Sequence, residues 1–194
     1  RRFGKTFNLS ILHHFLAPKV NGQSTQGLFE GLKIAELGEP YIQHQGKYPV
    51  IFISFKDIKY TDYLSAYENV CNLISYVYST HQELLSSSKV ADHQKKIFES
   101  ILEERATKPS IESALFNLTD MLYRHYQVKP WLLIDEYDTP IQAAYVHGYY
   151  DEMIELMRGL LGRALKSNPH LNKSVITGIL RVAKESLFSG INNI

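Results

Sequence analysis

The run Val50-Ile51-Phe52-Ile53-Ser54-Phe55 is apolar without polar alternation and is rich in β-branched and aromatic residues. A strand with one wet face alternates, so this pattern predicts a strand covered on both sides. Trp131 to Ile134 repeats it, and a third strand is expected over Ser174 to Ile179, after the turn signal Asn168-Pro169. The sequence between the runs has helical periodicity. Buried strands separated by helices imply a mainly parallel sheet with helices on its faces, an α/β fold.

The helices follow from the spacing of apolar residues. Thr6 to Leu16 places Phe7, Ile11, Leu12, Phe15 and Leu16 on one side, with Pro18 as a stop. From Ala17 to Lys47 the glycines and Pro40 predict irregular connection, with room for a short turn of helix. Asp62 to Leu85 reads as one long helix, carrying Leu64, Tyr67, Cys71, Ile74 and Tyr78 and ending at Ser86-Ser87-Ser88. A second covers Ala91 to Arg105. A third begins after Pro109 with Ser110 as its N-cap and carries Leu115, Leu118, Leu122 and Tyr126. Further helical sequence surrounds Ile141 to Val146 and Tyr150 to Leu165.

A chain of 194 residues, 44% of them hydrophobic, has enough apolar material for one buried core. Basic and acidic residues number 21 and 20, a net charge of +1, so no broad field draws a polyanion and nucleic-acid binding gains no support from charge. The lone Cys71 cannot form an internal disulfide and reads as a small buried hydrophobe, which fits a reducing cytoplasm. No run approaches the roughly 20 apolar residues that cross a bilayer, and the opening residues lack the apolar stretch of a signal peptide. Both ends read as cuts within a longer chain. The eight histidines show no ligand spacing, and the adjacent His13 and His14 point to different sides of a helix. The 13 tyrosines, spread through the helices, read as amphipathic packing rather than a base-stacking platform.

Three segments carry chemistry. Gly4-Lys5-Thr6 stands immediately before the first amphipathic helix, as in the second half of a Walker A loop. Glycine lets the backbone approach phosphates, the helix start offers unpaired N–H groups, lysine neutralises β and γ oxygens, and the threonine hydroxyl serves magnesium. Taken alone, the tripeptide is equally the solvated start of a helix. Trp131-Leu132-Leu133-Ile134-Asp135-Glu136 delivers two adjacent carboxylates to the C-terminal end of a buried strand, where open parallel sheets bind ligands, a Walker B pattern. Asp135 would hold magnesium directly or through water, and Glu136 would orient and deprotonate an attacking water; the bland alternative is a turn or a helix start. Val175-Ile176-Thr177-Gly178-Ile179 is a buried strand with one polar residue near its end, and Thr177 fits the role of positioning the lytic water. A strand threonine alone reflects only β propensity, so that reading depends on the other two segments.

Arg1-Arg2-Phe3-Gly4-Lys5-Thr6, Leu133 to Ile141 and Thr177 to Ser186 together resemble the signature segments of the AAA-ATPase-like family, and the strand end Ile53-Ser54-Phe55-Lys56-Asp57 resembles it too. The resemblance implies a P-loop NTPase-type parallel sheet and an ATPase module that uses ATP and Mg2+. In longer members such a module is commonly followed by a nuclease-like domain of the PD-(D/E)XK type. The implied site has Gly4, Lys5 and Thr6 on the nucleotide, Thr6 and Asp135 on the metal, and Glu136, Thr177 and Arg181 in catalysis. Arg181 either contacts a γ-phosphate or is a surface arginine. Asp138 either joins the magnesium shell or caps the following helix, and Asp57 is a possible lining residue. Arginines replace the usual start of the loop, the strand that should precede it is not in the sequence, and so the sheet is expected to be incomplete. The long separation of Lys5 from Asp135 exceeds what one strand and its crossover need, so residues 61–106 read as a helical insertion in a single partial domain. Three functions remain open at this stage: magnesium-dependent ATP hydrolysis within a larger protein, a nucleotide-gated binding module with little hydrolysis, and an inactive truncated product.

Overall fold

The computed structural model describes residues 4–179. In chain order it contains α1 (Lys5–Leu16), the short antiparallel pair β1 (Lys19–Val20) and β2 (Gln23–Ser24), and the short helices α2 (Lys33–Glu36) and α3 (Glu39–Ile42). Then follow β3 (Val50–Ser54), α4 (Tyr63–Ser79), a 3-10 turn over Gln82–Ser86, α5 (Asp92–Leu102), α6 (Lys108–Glu112) and α7 (Ala114–Tyr126). Last come β4 (Trp131–Asp135), α8 (Thr139–His147), α9 (Tyr150–Leu165) and β5 (Lys173–Ile176). The three longer strands form one parallel sheet in the order β3-β4-β5, flanked by helices, the α/β arrangement expected from the sequence.

Alternation of side chains divides the sheet between two cores. Val50 and Leu133 face α1 and pack with Leu9, Phe15, Leu16 and Phe29, with Phe52, Trp131 and Val175 at the edges of that cluster. Ile51, Ile53, Leu132 and Ile134 point the other way, into a much larger core built with Val70, Ile74 and Tyr78 of α4, Phe98 and Ile101 of α5, Leu115, Leu118 and Leu122 of α7, and Met153, Leu156, Met157 and Leu160 of α9. Cys71 is half-buried beside this core as a free thiol.

Three sequence expectations need correction. The stretch Asp62 to Leu85 is not one helix: Asp62 does cap it, accepting the Ser65 N–H at 2.9 Å, but α4 ends at Ser79. There the Ser79 and Thr80 hydroxyls each bond the carbonyl three residues back, at 2.7 Å, competing with the helical ladder. Ser110 is not an N-cap. It lies inside α6 after Pro109, a separate short helix preceded by Thr107, while α7 starts afresh after Ser113. The third strand ends at Ile176, so Thr177 sits one residue beyond the ladder.

Register sets the geometry of the rim. Ser54 pairs with Asp135 and Ile134 with Ile176, so the C-terminal ends of all three strands open on one edge of the sheet. The N-terminal end of α1 meets the same rim through Thr6.

Candidate functional site

Asp135 is the centre of the rim. It is completely buried, and a buried carboxylate persists only when hydroxyls or N–H groups replace its lost water. Three hydroxyls converge on it. Thr6 of α1 donates to Oδ2 at 2.8 Å across 129 sequence positions, Ser54 at the end of β3 lies 3.5 Å from the same oxygen, and Thr177 donates to Oδ1 in a short bond. The hydroxyl contacts thus come from α1, β3 and the segment after β5, so the carboxylate ties four parts of the fold together.

Glu136 follows Asp135 with φ of 50°, the left-handed region, which costs a non-glycine residue on the order of 1 kcal/mol. The strain is held in place from both sides. Its N–H donates to the Thr177 hydroxyl oxygen at 3.3 Å, and its own carbonyl accepts the Thr139 N–H at 3.1 Å at the start of α8. The carboxylate accepts the Thr139 hydroxyl at 3.3 Å and lines a cleft of about 820 Å³. That cleft is also lined by Gly4, Lys5, Thr6, Lys59, Gln142 and His147, with Phe7, Ala143, Val146 and Ile179 as apolar walls.

Gly4 has φ of 65° and stands at the N-cap position of α1, so the chain turns into the helix at a residue without a Cβ. Lys5, exposed at the cleft, rests its ammonium on the Gly178 carbonyl at 3.1 Å. Five of the residues singled out from the sequence, Lys5, Thr6, Asp135, Glu136 and Thr177, are therefore connected through one hydrogen-bonded group and its cleft. Arg181 lies outside the described residues.

Of the two readings of Asp138, the helix cap is not what its side chain makes. It is buried at the N-cap position of α8 but makes no capping bond; its Oδ2 accepts the Ile179 N–H and the Gln142 side-chain amide, each at 2.8 Å. Asp57 does not line the cleft. Its side chain is 84% exposed and lies 3.9 Å from the Lys56 ammonium. The His13 ring stacks on Phe52 with centroids 5.3 Å apart.

Sequence reading missed two contributors. Ser54 lies within an apolar run, but a polar residue at the C-terminal end of a buried parallel strand is itself a signal. Gly178 is required by contact: a Cβ there would lie 2.4 Å from Tyr137 Cε1 and 2.8 Å from Asp138 Oδ1. Only a backbone without a side chain brings the carbonyl that Lys5 uses this close to the Tyr137 ring.

The donor set suits magnesium. Hydroxyl and carboxylate oxygens are hard ligands, and the 2.8 Å between Thr6 Oγ1 and Asp135 Oδ2 is close to the separation of about 2.9 Å between adjacent oxygens of an octahedral Mg2+. No group of three or more His, Cys, Asp or Glu side chains among the described residues could cage a metal by itself. Mg2+ is commonly held by one or two protein oxygens together with substrate phosphates, and Thr6 and Asp135 supply protein oxygens of that kind.

Among the described residues, no helix is long and apolar enough to cross a membrane. No curated protein and no solved structure matches the chain. The profile of a family described as predicted AAA-ATPase matches residues 1–188. With that match running over nearly its whole length, this chain belongs to the AAA-ATPase-like family.

Proposed function

We propose that the cleft binds a nucleoside triphosphate with Mg2+ and promotes hydrolysis of its terminal phosphate by water. The observation that carries this reading is the bond from the Thr6 hydroxyl to Asp135, which joins the start of the lysine-bearing helix to the strand end that carries Glu136. Thr6 and Asp135 would hold the metal, which when bound neutralises charge on the phosphate oxygens. Lys5 exchanges the Gly178 carbonyl for phosphate oxygen, a gain because a charge-assisted bond to an anion is stronger than one to a neutral carbonyl. Glu136 accepts a proton from the attacking water. Its strained backbone, pinned by Thr177 and Thr139, fixes where that carboxylate points and so supports in-line attack. Thr177 donates to the Asp135 carboxylate and accepts the Glu136 N–H, so it positions the one carboxylate directly and the other through its backbone. Arg181 stays in the proposal as a further phosphate contact. In longer relatives, nucleotide occupancy would be transmitted to an attached nuclease-like domain.

The test is phosphate release together with nucleotide binding. Glu136→Gln keeps ATP bound while turnover falls on the order of 10²- to 10⁴-fold, the usual contribution of a general base. Lys5→Ala loses binding. Turnover undiminished in Glu136→Gln removes the mechanism, and binding by the unsubstituted protein without phosphate release favours the nucleotide-gated module over the hydrolase.

A further inference from the structure

The cleft presents a second cation. Lys59 lines it together with Lys5, Thr6 and Glu136, and it is solvent-exposed. It belongs to the segment that follows β3, residues 55–62, which is fixed at several points. Phe55 is fully buried and its N–H donates to the Asp135 carbonyl at 3.0 Å; Ile58 is buried and its N–H returns to the Phe55 carbonyl at 3.1 Å. The Lys59 N–H bonds the Asp57 carbonyl at 3.0 Å, and the Tyr60 carbonyl accepts the Tyr149 hydroxyl at 2.6 Å. Backbone held on both sides of a long side chain presents that side chain to the cleft at a reduced entropic cost of ordering.

The two lysines of this segment differ in their company. Lys56 lies 3.9 Å from the Asp57 carboxylate, outside the cleft. Lys59 lines the cleft and, among the described residues, forms no ion pair. An ammonium without a carboxylate partner, in a concave site that already gathers phosphate-binding groups, is available to an anion.

Charge gives the anion's identity. A fully ionised triphosphate carries one more negative charge than Mg2+ and one lysine neutralise, and the carboxylates of Asp135 and Glu136 deepen that deficit. The segment bearing Lys59 leaves β3 beside the end of β4, since Ser54 is in register with Asp135, so it reaches the cleft from the flank of Glu136. The water that Glu136 activates attacks the terminal phosphate. We propose that Lys59 binds that terminal phosphate and makes the cleft favour nucleoside triphosphate over diphosphate. The inference rests on the nucleotide reading of the site.

The experiment is calorimetric titration of ATP and ADP, each with Mg2+, into the unsubstituted protein and into Lys59→Ala, Lys59→Arg, Lys59→Gln and Lys5→Ala, with circular dichroism to verify folding. Lys59→Ala and Lys59→Gln weaken ATP on the order of ten-fold, as loss of a charge-assisted hydrogen bond does, and leave ADP within about two-fold. Lys59→Arg restores most of the preference, because a guanidinium still meets phosphate. Lys5→Ala weakens both nucleotides. An unchanged ATP-to-ADP ratio in folded Lys59→Ala and Lys59→Gln, with Lys5→Ala still impaired, overturns the role of Lys59 alone. Absence of nucleotide binding by the unsubstituted protein overturns that role and the reading of the site together.

Discussion

The two faces of the parallel sheet are covered very unequally. On one side, α4, α5, α7 and α9 bury a continuous core around Ile51, Ile53, Leu132 and Ile134. On the other, α1 and the irregular segment after it bury a small cluster around Leu9, Phe15, Leu16 and Phe29, while Phe7 of the same helix stays 69% exposed. The thick side contributes most of the hydrophobic stabilisation, since that scales with apolar area removed from water. The thin side bears Lys5 and Thr6, and a polar bond to Asp135 supplements its modest packing. Lys5 and Thr6, the residues proposed to exchange protein partners for phosphate, thus sit on the lightly held layer, and the strand that carries Asp135 is packed against the heavy one.

Paired truncations test this contrast most strongly. Leu118→Ala, at a fully buried position of the thick core, is expected to cost about 3–5 kcal/mol in denaturant unfolding. Leu9→Ala, on the thin side, is expected near the low end, about 2 kcal/mol, because thinner surroundings collapse into the void more readily. Equal losses would break the contrast. Gly178→Ala comes next. Its Cβ would press on Tyr137 Cε1 at 2.4 Å, so overpacking of about 1–3 kcal/mol is expected, with weaker nucleotide binding as the Lys5 and Asp138 contacts shift. Unchanged stability and affinity would show that the close approach is dispensable.

The smallest effect concerns His13, which stacks on Phe52 on the thin side. Burial first, and then the neighbouring charges of His14 and His81, lower its pKa from 6.5 to about 4. Within that window the unfolded chain binds the proton and the folded chain does not, so this contribution is complete above the unfolded value and is lost as pH falls towards about 4. His13→Phe is expected to flatten the Tm-against-pH curve over that range, by on the order of 1 kcal/mol. An identical slope in the variant would mean that His13 is solvated on both sides of the transition.

Much of the site was legible because it is written in local pattern. An apolar run ending in Asp135-Glu136 and a glycine-lysine-threonine before an amphipathic helix each predict their own conformation. The helix boundaries around Ser79 and Ser110 were misread because side-chain hydroxyls of Ser79, Thr80, Thr107 and Ser113 redirect hydrogen bonds in ways that apolar periodicity does not record. Asp57 and Asp138 were ambiguous because a carboxylate after a strand or before a helix has several local partners; the fold gave one to Lys56 and the other to Ile179 and Gln142.

Residue types and their spacing over a few neighbours were enough to indicate buried strands in a parallel, helix-flanked sheet and a set of candidate site residues, but not the residue at which each strand ends. Only the tertiary structure decided that Ser54 shares Asp135 with Thr6 and Thr177, that Gly178 must be bare beneath Tyr137, and that Lys59 rather than Lys56 faces the cleft. Those are facts of strand register and of contact between segments far apart in the chain, and neither is encoded in the neighbourhood of any one residue.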